Sequence, residues 1–437
     1  MLTPTAPEAG TPSAGADPLW ELLIPPSRHG RHDRTAVEAA GTQILFADGV
    51  WRLCATSGLW NANLGYGNTV IADAVAEALR TASYLTLFRS GHTWAVAAAR
   101  ALLRVAGPDR FARVLFSTSG SAANDMVMKL ARQYWALRRQ FGRRVVVGLR
   151  GSYHGLTYGS HGLTGMALGQ RYYGVDQSLI RHVDHVDDGA ELADLLSREG
   201  DRVAAVVVEP VLGTGAAALS DRMIAELGRL RQEYGFLLVA DEVATGFGRT
   251  GPYFASQRWT TAPDVLVASK GMTNGTCAAA AVLVSSEVWG AFARSDAALT
   301  HAETQAGTPP TCAAIVATIA EMDRLGALER GADTARHLDL LIADIVGHPL
   351  VTGDDGRGCF RALRLGRDGE ALSDAEVALV GDEIRDAGAL VSLGPSCVQL
   401  APALVYRDED AARLGAAVRA GLDRAADRLA GKRVVRA

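Results

Sequence analysis

The chain has 437 residues, of which 48% are hydrophobic and 21% are charged, the proportions of a soluble globular protein with two or three domains. Its net charge of -4 gives no reason to expect nucleic acid or an anionic membrane as a partner. No run reaches the roughly 18 consecutive apolar residues of a membrane-spanning helix. The five cysteines are scattered without a C-x-x-C pair, so we expect reduced thiols in a cytoplasmic protein and no metal site.

The N-terminal part of the chain divides into two short segments. Residues 1–18 are rich in Pro, Ala, Gly and Thr, which predicts a disordered leader and not a signal peptide. Residues 19–58 contain a hairpin-like stretch from Gln43 to Trp51. We expect this segment to pack with the smaller of two domains.

From residue 59 to residue 300, strand-like apolar runs alternate with helix-like segments. This alternation predicts a large α/β domain, in which a mostly parallel sheet is covered on both faces by helices. We predict strands at about 113–116, 144–149, 204–209, 236–240, 265–268 and 279–284, and helices at about 121–140 and 220–234.

After residue 300 the pattern changes to helices separated by short strand candidates near Cys359 and Leu390. Such a mixture predicts a smaller α+β domain over residues 301–437. Its helices are predicted at about 310–325, 332–346, 374–387 and 408–430.

Lys270 and Asp241 each follow a continuous apolar run of the predicted large sheet. Polar residues just past such strands lie at the carboxyl edge of the sheet, where ligands bind in open α/β folds. A lysine that forms a Schiff base and an acid that keeps a pyridine nitrogen protonated are what pyridoxal phosphate requires. The alternative is a surface lysine and a loop acid, but the buried flanking runs favour a cofactor site.

Two further motifs follow predicted strands of the same domain. Ser119, Gly120 and Ser121 lie between a strand and a helix, where they suit a phosphate group or form a plain helix cap. Tyr153 and its neighbour His154 follow the next strand. The tyrosine can lie flat on a pyridine ring, or it is a buried structural residue.

Glu209 ends a wholly apolar strand candidate. A carboxylate at such a position is rarely left without a partner, so it faces either the site or a cation. The alternative is a strand-end acid in solvent.

Taken in order along the chain, these motifs resemble class III aminotransferases, the fold-type-I pyridoxal phosphate enzymes that include ornithine and omega-amino acid transaminases. The resemblance runs from about Leu59 to the C-terminus. Its most specific part is the block from Asp241 to Gly251 together with Ser269-Lys270. The motifs are Ser119 to Asp125, Tyr153-His154-Gly155, Glu209-Pro210, Asp241 to Gly251, Ser269-Lys270-Gly271 and Thr304 to Pro309.

The resemblance implies a role for each of these residues. Lys270 would carry the cofactor, and Asp241 would pair with its pyridine nitrogen. Val243 and Tyr153 would pack on the two faces of the ring, with His154 beside them. The phosphate would lie on the cradle of Ser119, Gly120 and Ser121.

The resemblance also implies residues on the substrate side and a partner subunit. Glu209 matches the family's acid near the substrate, and Trp60 lies in a segment that lines the entrance. Thr304 matches a threonine that reaches the phosphate of the neighbouring subunit, which implies an obligate homodimer with shared active sites.

Two positions depart from the family pattern. Ala122 stands where many relatives have Glu. Gln399 stands where relatives that bind an α-carboxylate place an arginine, and a neutral amide cannot form the bidentate charged fork that arginine gives a carboxylate. We therefore expect a ketone or aldehyde acceptor without an adjacent carboxylate, unless one of three other arginines supplies the charge: Arg89, Arg249 or Arg361.

The sequence also resembles, more narrowly, the aminotransferases of daptide-type natural-product pathways, which convert a ketone at a peptide C-terminus into an amine. The alternatives are an omega-amino acid transaminase, an aminomutase or a decarboxylase on the same fold, because the cofactor motifs do not separate these activities. A catalytically silent protein that binds pyridoxal phosphate is a further alternative.

Overall fold

The computed structural model describes residues 18–434, so the leader predicted over residues 1–18 lies almost wholly outside the described residues. The strands are β1 (Ala36–Ala40), β2 (Gln43–Phe46), β3 (Trp51–Cys54), β4 (Arg113–Ser117), β5 (Val145–Leu149), β6 (Ile180–Val183), β7 (Val203–Val208), β8 (Leu237–Asp241), β9 (Val265–Ala268), β10 (Ala280–Val284), β11 (Val351–Arg357), β12 (Phe360–Arg367), β13 (Glu370–Ala371), β14 (Ala389–Leu390), β15 (Ser392–Gly394) and β16 (Cys397–Leu400). The helical segments are α1 (Ser57–Trp60), α2 (Thr69–Ala82), α3 (Thr93–Ala106), α4 (Gly120–Leu137), α5 (Tyr158–Leu163), α6 (Ala190–Glu199), α7 (Asp221–Tyr234), α8 (Ser286–Arg294), α9 (Pro309–Arg324), α10 (Ala327–Ile345), α11 (Asp374–Asp386) and α12 (Asp408–Val434).

A seven-stranded sheet in the order β4-β10-β9-β8-β7-β5-β6 forms the centre of the large domain. Strand β10 runs antiparallel to both of its neighbours, and the other pairs are parallel. The predicted α/β class with a mostly parallel sheet is therefore confirmed.

Strand β8 shows why the sequences of the central strands are unbroken apolar runs. Its five residues are all buried. Because successive side chains point to opposite faces of a sheet, Val239 packs in the core under helix α4, whereas Leu238 packs in the core under helices α6 and α7. Helices therefore cover both faces, and the strand's polar end residue, Asp241, is left at the carboxyl edge.

Two smaller sheets complete the fold. The order β11-β12-β16-β15, with β13 on β12, is antiparallel throughout. The other sheet has the order β1-β2-β3-β14, in which β3 pairs in parallel with β14. This pairing supports the proposal that residues 19–58 belong with the C-terminal domain.

The packing of helix α9 indicates where the boundary between the two domains lies. Although it follows residue 300, its buried face shares one core with helix α3 and with strands β9 and β10 of the large sheet. The division after residue 300 stays a proposal, and this packing favours a boundary nearer residue 325.

The start predicted for helix α10 was wrong. We expected it at about residue 332, but the helix begins at Ala327 and runs through Gly331. A Cβ added at Gly331 would lie 3.3 Å from a methyl carbon of Leu404, so glycine is used here for close packing and does not break the helix. No helix within residues 18–434 is both long and apolar enough to cross a membrane.

Candidate active site

A cavity of about 760 Å³ opens at the carboxyl edge of the central sheet. Strands β4, β7, β8 and β9 all direct their C-terminal ends toward it, so residues far apart in sequence meet there. Of the residues predicted for the site, those that line it are Trp60, Ser119, Gly120, Ser121, Tyr153, His154, Glu209, Asp241, Val243, Lys270 and Gln399.

Asp241 is held at the bottom of this cavity by three donors. Its Oδ2 accepts hydrogen bonds from Nδ2 of Asn124 at 2.8 Å and from Nδ1 of His154 at 2.7 Å. Its Oδ1 accepts from the backbone N–H of Val243 at 3.1 Å. Charge-assisted bonds of this kind fix a buried carboxylate in one orientation.

Asn124 was not assigned a role from the sequence, although it belongs to the motif that starts at Ser119. It lies three residues after Ser121 on helix α4, and residues three apart share a helix face. That spacing is the signal by which Asn124 could have been found.

Glu209 is buried and accepts two backbone hydrogen bonds. The N–H groups of Tyr153 and Gly213 each donate to its carboxylate at 2.9 Å. Burial raises the pKa of Glu209 above its usual range, although the positive charge of His154 opposes this shift. Glu209 therefore faces the cavity and is not a strand-end acid in solvent, which was the alternative interpretation of the sequence.

Lys270 lies partly buried beside Trp60. Its Nζ is 4.3 Å from the centroid of the indole ring, which is a favourable distance for a cation on an aromatic face. Burial lowers the pKa of Lys270 to about 8, although the negative charges of Glu209 and Asp241 oppose the shift. The lysine backbone has a φ of 45°, a strained conformation of the kind that often occurs at functional sites.

A left-handed turn places Trp60 against the lysine. All four residues from Ser57 to Trp60 have positive φ, between 46° and 66°. This conformation is unfavourable for L-residues, so surrounding contacts must hold it. Ser57 Oγ donates to the carbonyl of Ala401 at 2.7 Å, and the Asn61 amide donates to the carbonyls of Gly58 and Leu59.

The turn before helix α4 has the features of a phosphate cradle. Ser119 caps the helix by accepting the N–H of Ala122 at 3.2 Å, and the N–H groups of the first helical residues, Gly120 and Ser121, have no acceptor within the helix. The backbone at Gly155 lies so close that an added Cβ would be 2.2 Å from Ser121 Oγ.

These features fit pyridoxal phosphate. The donors of the α4 turn suit its phosphate, Asp241 suits its ring nitrogen, and Lys270 suits its aldehyde. Val243 and Tyr153 both line the same cavity, where they can contact the cofactor ring. No cluster of His, Cys, Asp and Glu side chains within residues 18–434 is arranged to hold a metal ion.

Glu303 supports the same turn and was missed by sequence reasoning. Its carboxylate accepts hydrogen bonds from Ser117 Oγ and from both the N–H and the hydroxyl of Thr118. It lies more than 180 residues from these partners in the chain, so no local pattern indicated the contact.

Thr304 is exposed and does not line the cavity of its own chain. Its carbonyl accepts a hydrogen bond from the hydroxyl of Tyr84 at 3.1 Å. Its assignment to a partner's phosphate stays a prediction.

Gln399 is 2% exposed, and its Nε2 donates to the carbonyl of Gly213 at 2.8 Å. The three candidate replacements for a carboxylate-binding arginine do not line this cavity. Arg249 is buried and donates to the carbonyls of Cys359 and Pro402 and to Asn63. Arg361 is paired with Asp339 and Asp354, and Arg89 is exposed.

Comparison with known proteins identifies the family. The family model for class-III aminotransferases matches residues 26–420. The omega-aminotransferase of Caulobacter vibrioides is 31% identical over 328 residues, which is 69% of this chain and 74% of that protein. The putrescine–pyruvate aminotransferase of Pseudomonas aeruginosa is 31% identical over 352 residues, which is 76% of this chain and 77% of that protein.

Among solved structures, an amine transaminase from an uncultivated Pseudomonas species, determined in its pyridoxal-phosphate-bound form, is 27% identical. The two folds superpose with a TM-score of 0.88, over 94% of this chain and 100% of that chain. The chain therefore belongs to the class III aminotransferases, and its cofactor is pyridoxal phosphate.

Proposed function

We propose that this aminotransferase moves an amino group from a donor amino acid to a ketone or aldehyde that has no carboxylate next to the carbonyl. The observation that carries this proposal is Gln399, whose amide donates to the carbonyl of Gly213. By the sequence resemblance, this residue stands where relatives that bind an α-carboxylate have an arginine. An amide in this position offers a carboxylate no positive charge.

The charges of the cavity support the same substrate class. Apart from Lys270, no Lys or Arg of the described chain lines it, whereas Glu209, Asp241 and Asp374 do. A carboxylate would lose hydration in this cavity without gaining an arginine partner, so we expect a donor amino acid to bind weakly and an acceptor with a carboxylate to be disfavoured. A neutral carbonyl compound and its amine product meet no such penalty.

We propose roles for the residues that hold the cofactor. Asp241 keeps the proton on the ring nitrogen, and His154 and Asn124 hold Asp241 in place. Val243 and Tyr153 enclose the ring, and the turn of Ser119, Gly120 and Ser121 binds the phosphate. When bound, pyridoxal phosphate supplies an electron sink for the negative charge that develops on the substrate carbon.

We propose Lys270 as the general base and acid. Its Nζ removes a proton from the substrate carbon that bears nitrogen and later returns one. A pKa near 8 makes a useful fraction of this amine neutral at neutral pH, and burial is the cause of that shift. The indole of Trp60 packs on the amine and limits the directions from which a substrate approaches.

The mouth of the cavity fits a bulky apolar substrate. Its walls carry apolar side chains from several parts of the chain: Leu23, Leu59, Met166, Leu168, Val377 and Leu393. Leu23 and Leu59 are exposed, so a long substrate can extend from the site across them into solvent. This supports, as the more specific proposal, a ketone at the C-terminus of a modified peptide in a natural-product pathway.

A second candidate is an omega-amino acid or diamine substrate. It is favoured by the relatives themselves, one of which acts on putrescine and pyruvate by its name. Asp374 at the rim of the cavity offers a negative charge to a distal ammonium group. An aminomutase on the same fold would differ in needing no second carbonyl substrate, and a decarboxylase would differ in releasing carbon dioxide.

We also propose a cytoplasmic homodimer. Thr304 is exposed next to the segment that supports the phosphate turn, a position from which it can reach a second subunit. Light scattering of the protein with and without Thr304→Ala, together with the affinity for pyridoxal phosphate, tests the dimer and the shared site.

A scan of the donor half-reaction tests the function. The loaded enzyme is mixed with α-amino acids, ω-amino acids, simple amines and aminated peptides, and loss of the cofactor's visible absorbance is followed. Loss of absorbance with simple amines or aminated peptides would support the proposal, and loss of absorbance with amino acids alone would refute it. Lys270→Ala should abolish conversion, whereas Lys129→Ala, which removes an exposed lysine of helix α4, should not.

A further inference from the structure

A second cavity, of about 610 Å³, is bounded by helix α7, the segment 250–261 and strand β11. None of the residues that line it also lines the active-site cavity. Its volume lies in the range of small-molecule binding sites.

The charged groups of this second cavity are mostly arginines. Arg229, Arg258 and Arg357 line it, against one acid, Asp221. Arg229 pairs with Glu226, and Arg357 donates to Asp221 at 3.0 Å. Arg258 is exposed, and no hydrogen bond or ion pair engages its guanidinium group within residues 18–434. The cavity therefore presents one guanidinium whose donors are all available, and a guanidinium binds carboxylates and phosphates in a bidentate manner.

A buried hydroxyl in the wall also lacks a partner. Thr250 is 4% exposed and lines the cavity. Its Oγ1 is buried and has no hydrogen-bond partner in the described chain. Because solvent does not reach this oxygen, an occupant of the cavity would not contact it, and recognition rests on the cationic and apolar groups of the wall.

The remaining wall is mixed: Gln232, Thr260 and Thr261 contribute polar groups, and the rest is apolar. The indole of Trp259 and the side chains of Val211 and Ile224 line it. Cationic, polar and apolar groups thus face one space, as in sites that bind an organic ion with a hydrophobic body.

We infer that this cavity binds a small organic anion, whose carboxylate or phosphate pairs with Arg258 while its apolar or planar body packs against Trp259. The occupant would not compete with substrate or cofactor, because the two cavities have no lining residue in common. This inference does not depend on the acceptor proposed above, since the cavity lies outside the active site.

Calorimetric titration of the pyridoxal-phosphate-loaded enzyme tests the inference. The probes are benzoate, phenyl phosphate and the neutral analogue benzamide, which share one planar body. We expect saturable binding of benzoate or phenyl phosphate and none of benzamide, and the tighter of the two anions identifies the preferred acidic group. Using loaded enzyme keeps the phosphate cradle of the active site occupied.

Variants locate the binding. Arg258→Ala should weaken binding of the anion at least about tenfold, the usual scale of one charge-assisted pair. Thr250→Val removes a hydroxyl that solvent does not reach and should leave the affinity unchanged. Arg222→Ala is the matched control, because this arginine lies on helix α7 with a side chain 87% exposed and does not line the cavity. Its affinity should equal that of the unmodified enzyme.

Inorganic phosphate is titrated in parallel. Three results would overturn the inference: no binding of either organic anion, the same affinity in Arg258→Ala as in the unmodified enzyme, or equal affinity for inorganic phosphate and phenyl phosphate. The last result would mean that only an adventitious ion binds. Thermal unfolding of each variant shows that a lost affinity is not a lost fold.

Discussion

Nδ1 of His154 donates a hydrogen bond of 2.7 Å to Oδ2 of Asp241, and both side chains are buried. Burial by itself would lower the pKa of His154, but its hydrogen bond to Asp241 and the charges of Asp241 and Glu209 raise that pKa above the ordinary value. Nδ1 of the His154 imidazole must carry the proton, because an ionised carboxylate can only accept a hydrogen bond. The pair therefore fixes the carboxylate that we assign to the cofactor's ring nitrogen.

Replacing Asn124 by Ala should weaken both the fold and cofactor binding. The change removes one of two side-chain donors to Oδ2 of Asp241 and leaves part of a buried charge unpaired. We expect the free energy of unfolding to fall by about 1–3 kcal/mol and the dissociation constant for pyridoxal phosphate to rise. Urea denaturation and spectroscopic titration measure the two effects. Lys129→Ala, on the exposed face of the same helix, is the control. If Asn124→Ala had the same stability and the same cofactor affinity as this control, the role assigned to Asn124 would be wrong.

The rate at which the cofactor-free protein takes up pyridoxal phosphate should depend on the protonation of Lys270. Only the neutral amine attacks an aldehyde, so the rate should rise with pH and level off above a midpoint near the lysine's pKa of about 8. Stopped-flow absorbance over a series of pH values measures it. A midpoint at the ordinary lysine value of about 10.4 would show that the site does not perturb this amine.

The same experiment on Glu209→Gln tests the electrostatic cause. The negative charge of Glu209 raises the pKa of Lys270, because it stabilises the protonated amine. Removing that charge should therefore move the midpoint below that of the unmodified enzyme. A midpoint that moves upward or stays in place would mean that Glu209 is not charged in this pH range.

Gln399→Arg should convert the enzyme toward substrates with a carboxylate. Alanine and isopropylamine are a matched donor pair, because a carboxylate in one replaces a methyl group in the other. We expect the ratio of their half-reaction efficiencies to shift toward alanine by at least about tenfold, the scale of one charged hydrogen-bonded pair. Gln399→Met, which is neutral and of similar length, should leave this ratio unchanged.

Arg89→Ala serves as the critical check on that interpretation. Arg89 is exposed and does not line its own chain's cavity, so its removal should not affect alanine selectively. A specific loss of reactivity with alanine in Arg89→Ala would show that this arginine binds the carboxylate, and the proposed acceptor class would then be wrong.

Gly155→Ala should abolish tight cofactor binding. The residue has a φ of 127°, and an added Cβ would lie 2.6 Å from the backbone of Ser121. The phosphate turn must then shift, at a cost of about 3 kcal/mol. Fluorescence titration with pyridoxal phosphate and thermal unfolding report the change. Gly142→Ala introduces the same methyl group into open space at a permitted φ and should leave both measurements unchanged.

Much of the large domain was predictable from local patterns. The apolar runs that end at Asp241 and before Lys270 became strands β8 and β9, because strands buried on both faces require unbroken apolar sequence. Since parallel strands end at one edge, the two polar residues had to approach each other. Helices α4 and α7 begin immediately after Ser119 and Ser220, because each serine side chain caps the first turn.

Contacts between distant parts of the chain were decided by the tertiary structure alone. Nothing local indicates that Glu303 accepts hydrogen bonds from the turn at Thr118, or that the amide of Gln399 binds the carbonyl of Gly213. The strained turn that carries Trp60 against Lys270 is likewise maintained by Ala401, far along the chain. Hydrophobic periodicity specifies which elements form and which face of each is buried. The pairing of polar groups depends instead on how those elements pack against one another, and so does the arrangement of polar groups in this site.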